Sequence, residues 1–456
     1  MLAVTLSILS SCNHDNALEE ADDTADDTAD DTAVAISDLS AIPHDTIGSI
    51  LSVTWTQSES ETTWLEFSVD EGTWLTSPPA ARAAGSAEEL ALGIPFAAAV
   101  QLRVAWEGGS SETIEATTGP LPDGAPVASM VEGDPSGWDA SSPYVLLCIY
   151  GDGGSIDGGW SFIIDRQGRT VWAKEVNTAR VSLQTQLGAS GESILIDQSS
   201  FWAIFDSGNA STIERVNIEG EVTQTWQTPG QHHPFTELPD GSIAWGAVSG
   251  YFSDEQVKLL SPDGTERTLW SCRDFLDAEA NGGTPSDYCG SNTLSYSPET
   301  DTLLFSMFSL ETMIEIDRQT GETVRYFGHT GENAWEFDPP ESAFWWQHGG
   351  HFTATGTLLV SSKGEDASKE TVLREYALDE ESQTLIEVLT IGEGEGLYGD
   401  TMGEADYTIG GNIQHNLGSK IQLREYTPDG QVVWDVAWEG DMLGRSSPVP
   451  DLYVLR

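Results

Sequence analysis

From Ala35 to Gly119 apolar and polar residues alternate in short bursts, separated by residues that form turns. A period of two is the signature of strands with one buried face. Ile50–Trp55 and Thr63–Val69 read as one pair, and Val100–Trp106 and Glu112–Thr118 follow. Their spacing predicts a seven-strand sandwich of fibronectin or immunoglobulin type over residues 35–120. The segment holds no cysteine pair, which favours the fibronectin version. Leu121–Pro126, with its prolines and glycine, marks the boundary.

Past that boundary the rhythm changes to a turn followed by an apolar strand that carries an aromatic residue. Asp165–Gly168 leads to Trp172, Asn217–Gly220 to Trp226, and Pro262–Gly264 to Trp270. Asp317–Gly321 leads to Tyr326, and Pro428–Gly430 to Trp434. The turn glycines step by 52, 44, 57 and then 109 residues. The last gap is two units, with Leu378–Ser382 ahead of Leu385–Val388 as the intervening turn. Six units of this length predict an all-β chain whose residues 126–456 form a six-bladed β-propeller. Two stacked sandwiches are the alternative. Closure of the ring should pair the apolar segment Tyr144–Tyr150 with the terminal Leu452–Leu455.

Charge narrows the function. Lys plus Arg number 19 against 74 Asp plus Glu, a formal charge of −55. Such a field repels nucleic acid and anionic membrane surfaces, so neither is an expected partner. An anionic substrate would need a local cluster of His or Arg to be held at all.

The first 12 residues, Met1–Cys12, are a short apolar run ending in Leu9-Ser10-Ser11-Cys12. The run is too short for a membrane-spanning helix, which takes about 20 residues, and reads as a signal-peptide core. Its end resembles the lipobox of bacterial lipoproteins, with Cys12 as the acylated residue. No Lys or Arg precedes the run, which points to a start further upstream. Residues 13–34 form an acidic tether with nine carboxylates and three copies of Ala-Asp-Asp-Thr. Self-repulsion and the lack of apolar surface keep such a tract extended. It lacks the glycine turn and terminal glutamate of a calcium loop. Asn13 after the cysteine resembles an outer-membrane sorting signal, so the expected location is the outer membrane or cell surface.

Cys148 lies in an apolar run and reads as a small buried thiol. Cys272 and Cys289, with 16 residues between them, read as a disulfide of an exported protein. No close Cys-x-x-Cys pair or nearby His supports a metal, and no cofactor is expected.

Only eight histidines occur, and two take matching places. His233 precedes Gly241, and His348 precedes Gly356, each by eight residues and each ahead of an alternating apolar strand. The repeat therefore presents imidazoles at one point of two different units, as a nucleophile, base or ligand would require. His232 and His351 fall at other pleat phases and read as supporting residues.

The segments around these histidines resemble a family. They are His232-His233 with Leu238–Gly241, then Ser291–Tyr296 with Thr302–Ser306 and Ile314–Gly321, then Phe344–His348. In order and spacing they resemble the bacterial arylsulfate sulfotransferases, or arylsulfotransferases, exported six-bladed propellers that follow a small β-sandwich. The resemblance implies sulfuryl transfer from an aryl sulfate to a phenol through a sulfated histidine, here His348. It assigns His233 as helper and His232, Asn292, Gln347 and His351 as groups at the substrate. Two family positions differ: its histidine falls on Gly290 and its arginine on Phe308. Arg180 is the candidate to supply the missing charge. A tethered propeller that binds a glycan, a small aromatic or a protein without catalysis is the alternative, and a metal-dependent lactonase is a weaker third. If the lipobox reading holds, Cys12→Ala moves the protein from the salt-washed membrane fraction to the soluble one; continued sedimentation with membranes would exclude a lipid anchor.

Overall fold

The computed structural model describes residues 34–152, 156–176, 184–198, 211–249, 254–275, 289–330, 334–364 and 370–456. Cys12, the acidic repeats and Arg180 lie outside the described residues.

Two sheets make the N-terminal sandwich. One joins Ile36–Pro43, Leu51–Gln57 and Gly85–Ala91; the other is built on Glu61–Val69 and Ala99–Trp106. Leu51–Gln57 and Glu61–Val69 therefore sit in facing sheets and are not paired, contrary to the expectation from the sequence. Ala99–Trp106 does pair with Ile114–Thr117. Alternate residues Leu51, Val53, Trp55, Leu65 and Phe67 fill the space between the sheets.

The rest of the described chain is a β-propeller. Six sheets follow, each with four antiparallel strands, and two of them carry a fifth strand, which pairs in parallel in one case. Every turn of the sequence repeat falls at the same place, the hairpin between the third and fourth strands counted from the axis. Gly168, Gly220, Gly264, Gly321 and Gly430 hold left-handed φ values there, from 75° to 84°. In the unit whose turn lacks glycine, Gln383 takes that conformation with φ 53°. A side chain pays little in an exposed turn for a conformation that glycine adopts freely.

The ring closes through a strand other than the expected one. Tyr144–Asp152 pairs with Met442–Val449, which becomes the innermost strand of the first sheet. Tyr453–Leu455 instead turns into a short 3-10 helix, and Leu452 and Leu455 enter a core shared with Ile47, Ile50, Leu90 and Leu92 of the sandwich. At the outer rim Ser129–Gly133 pairs with Val432–Ala437 of the last sheet, so both ends of the propeller chain bridge the seam.

The repeated tryptophans fasten neighbouring sheets. Trp172 Nε1 donates to Ile218 O at 2.7 Å, and Trp270 Nε1 to Thr323 Oγ1 at 3.0 Å. Trp434 Nε1 donates to Arg166 O at 2.8 Å, across the seam between the last sheet and the first. Arg166 pairs with the buried Glu425 over the same seam. Trp434 is fully buried, so Trp434→Ala should cost about 3–5 kcal/mol of stability in denaturant titrations. Trp74, 38% exposed in the sandwich, should cost about 1 kcal/mol or less on the same change.

Candidate functional site

Because every sheet repeats one strand order, the six innermost strands run in the same direction along the axis. They are Thr185–Leu187, Gln231–Glu237, Ser291–Ser297, Trp345–Phe352, Glu404–Tyr407 and Met442–Val449. Early residues of these strands gather at one end of the channel and late residues at the other. His233 and His348 both belong to the early halves. The two glycines that revealed them, Gly241 and Gly356, form the same turn after each strand: their N–H groups bond Leu238 O and Thr353 O, both at 2.9 Å.

The inner strands lose regular register where they carry these residues. Gln231–Glu237 is bulged between Gln231 and Phe235, and Trp345–Phe352 is bulged on both sides of His348. Met442–Val449 is bulged around Gly444 and Arg445. A bulge rotates the chain locally and re-aims a side chain that a flat strand would bury between sheets. His233 itself takes φ 61°, in the left-handed region. Trp346 takes φ 53° and Gly349 φ 63° on either side of His348.

His348 is half-buried. Burial, and then the charge of Lys363, push its pKa down to about 4, with Arg445 adding to the effect. Its Nδ1 lies 3.4 Å from Trp346 O. A carbonyl only accepts, so Nδ1 carries the proton and Nε2 keeps its lone pair. His233 is also held well below the ordinary range, first by burial and then by His232, His348 and Arg445. Both imidazoles are neutral at physiological pH.

His232 is buried, with its ring 4.1 Å from that of His233 and Nδ1 3.6 Å from Glu255. Glu255 in turn accepts from the Ser291 N–H and hydroxyl. His232 is thus a positioning residue behind His233. Asn292 donates to Gln347 O at 2.7 Å and fixes the chain one residue before His348. Gln347 does not face substrate space: fully buried, its amide donates to Ser306 Oγ, Met307 O and Thr312 O. The bulge that turns His348 into the channel turns Gln347 the other way. His351, three residues on, lies in the opposite half of the channel, 3.6 Å from Asp406.

Cys272 and Cys289 form a disulfide with their Cα atoms 6.5 Å apart. It ties the outer strand of one sheet to the start of the next inner strand, directly ahead of Gly290. Gly290 has φ 66°, and a side chain there would crowd the hydroxyl of Ser309. Phe308 does reach the site. Its ring lies 5.0 Å from that of His348 and 5.2 Å from that of Trp346, giving an aromatic wall where the family pattern has a cation.

Positive charge enters from two residues that sequence inspection passed over. Lys363 closes the second strand of the His348 sheet, is 4% exposed, and donates to Asp400 O at 2.6 Å. Arg445 comes from the closing strand, and its Nε lies 3.5 Å from Glu404. Its Nη2 is buried with no hydrogen-bond partner, an arrangement kept where a ligand supplies one. The Gly444-Arg445 step in the last strand was the available signal, a glycine beside a cation within a strand. Among the described residues no group of three His, Cys, Asp or Glu gathers to hold a metal ion.

No family model and no curated sequence matches the chain. Among solved structures it is similar to the periplasmic gluconolactonase PpgL of Pseudomonas aeruginosa: 16% identity over 77% of this chain and 95% of that one, TM-score 0.42. It is also similar to the virginiamycin B lyase of Staphylococcus aureus, at 13% identity over 87% of this chain and 99% of that one, TM-score 0.35. At such identity the likeness is one of fold, and the chemistry of the site rests on this chain's own residues.

His415, buried against Ser361 Oγ at 3.0 Å, is lowered to about 3 by burial. A histidine whose folded pKa is depressed contributes stability above its unfolded pKa of 6.5, and that stability is lost as pH falls toward the folded value. Denaturant midpoints should therefore drop between pH 6.5 and 4, and His415→Gln should make that drop shallower. An unchanged slope in the variant would contradict a buried neutral His415.

Proposed function

We propose that the histidine end of the channel transfers a sulfuryl group from an aryl sulfate to a phenol, with His348 as the nucleophile. The observation that carries this reading is the company His348 keeps: a neutral imidazole, an aromatic wall, and two buried cations. In a chain of charge −55, cations placed in the interior serve an anion.

The donor's ring would lie against Phe308 and Trp346, with its sulfate oxygens toward Arg445 and Lys363. His348 Nε2 attacks sulfur, the N–S bond forms, and the S–O bond to the ring breaks to release a phenolate. An acceptor phenol then gives up its proton to His233 and attacks sulfur, and the N–S bond breaks to restore His348. Guanidinium and ammonium stabilise the charge that builds on the oxygens, as preorganised donors do in other group transfers. Arg445 thus supplies from the closing strand the charge that the family pattern carries at the position of Phe308. The Leu9–Cys12 lipobox, the acidic tether and the disulfide support an exported, lipid-anchored protein with this channel presented off the membrane.

Incubation with a chromogenic aryl sulfate alone should leave one SO₃ group on the His348 peptide, read by mass spectrometry. His348→Ala should abolish both the adduct and turnover, and Arg445→Gln should reduce turnover by about 10²–10³-fold. Activity should hold as pH is lowered through 6.5 and fall only near 4, where His348 gains its proton. A folded protein with neither adduct nor turnover across a panel of donors would favour the binding-only propeller.

A further inference from the structure

The late half of the channel is a separate chamber of about 520 Å³. Leu187, Pro239, Pro298, Phe352 and Pro448, from five different inner strands and their turns, give it an apolar rim. Glu404, Asp406, His351 and Arg445 form its floor. An apolar body with a few convergent polar groups is the usual make-up of a small-molecule site.

The floor is short of positive charge. Arg445 is turned to Glu404 on this side, and Glu237, which also lines the chamber, is paired with Arg215. Asp406 lies 3.6 Å from His351, beyond normal hydrogen-bond length, and accepts from the Tyr407 backbone N–H with Arg445 nearby, while 45% of its side chain stays exposed. Burial raises the carboxyl of Glu404 to about 7 and raises that of Asp406 as well, despite these neighbours. A second, independent feature lies directly behind Asp406. Gln414 is its cross-strand partner and so shares its sheet face. Gln414 is 1% exposed, yet neither its amide nitrogen nor its oxygen has a hydrogen-bond partner. Buried amides are rarely left so unless a ligand or its water satisfies them.

We propose that this chamber binds a small amphipathic organic amine, its ammonium held by Asp406 and its apolar body against the Phe352 rim. Three properties select this class over others. The Asp406 carboxylate is partly exposed and keeps acceptor capacity beyond its one backbone bond, the apolar rim disfavours a strongly hydrated ion, and the field of the whole chain concentrates cations. The site shares Arg445 with the histidine end, but His348 and Phe308 take no part in its lining.

The test is calorimetric titration of the whole protein with phenethylamine at pH 7, with 2-phenylethanol as the neutral isostere. The amine should bind saturably and the alcohol at least about tenfold more weakly, the difference made by one charge-assisted hydrogen bond. Asp406→Asn should weaken the amine by a similar factor, while His348→Ala should leave it unchanged. Equal binding of amine and alcohol, or no binding of either, would overturn the proposal in wild-type protein, whatever the fate of the variant. So would an Asp406→Asn protein that melts normally and binds the amine as before, or a loss of binding in His348→Ala.

Discussion

Closure of the ring is the constraint on which everything else rests. An open run of four-stranded sheets would leave two unpaired edges and an uncovered face at each end. Here the closing strand Met442–Val449 pairs with Tyr144–Asp152 on the inside, and Ser129–Gly133 pairs with the last sheet on the outside. Trp434 and the Arg166–Glu425 pair fasten the same seam with the indole and ion-pair contacts that the other units also use. The sandwich adds to it: Tyr453, next to the terminal residues, bonds the backbone of Leu90 and Leu92. One stretch of chain thus completes the fold, docks the N-terminal domain and delivers Arg445 to the axis.

The axis is polar because of how its strands are made. A regular strand pairs on both edges or turns its side chains into the sheets on either side. The bulges at His232–Pro234, around His348 and at Gly444–Arg445 break that habit where the channel needs functional groups. Each trades ladder hydrogen bonds for a side chain aimed at the axis, a trade that closed rings with many rigid strands tolerate. The disulfide and the Asn292–Gln347 link hold the displaced backbone in place around His348.

Charge is distributed with the same economy. Cations are scarce, and Arg215, Arg325, Arg374 and Arg424 are each committed to a carboxylate within the sheets. Arg445, whose Nη2 has no hydrogen-bond partner, and Lys363, which also faces Asp400, bring charge to His348 in the channel. They divide it into two ends of different chemistry, a cationic and aromatic end around neutral imidazoles and a carboxylate end with an apolar rim.

The sequence alone determined the class of fold and much of its bookkeeping. Turn chemistry and strand period are local, so the sandwich, the repeat and its six turns, the disulfide, and the matched places of His233 and His348 were all readable. Even the turn without glycine was found, because Gln383 keeps the length of the hairpin. Only tertiary structure decided which strand closes the ring: Leu452–Leu455 is the more apolar segment, and the sandwich buries it while Met442–Val449, with Arg445 and two serines, lines the axis. It also decided which polar residues face the channel. Period-two reasoning assigns faces by counting, and a bulge shifts the count by one. That is why Gln347 proved to be a buried fastener, His351 fell to the opposite chamber, and Arg445, nearly a hundred residues from His348 in sequence, became its partner in space.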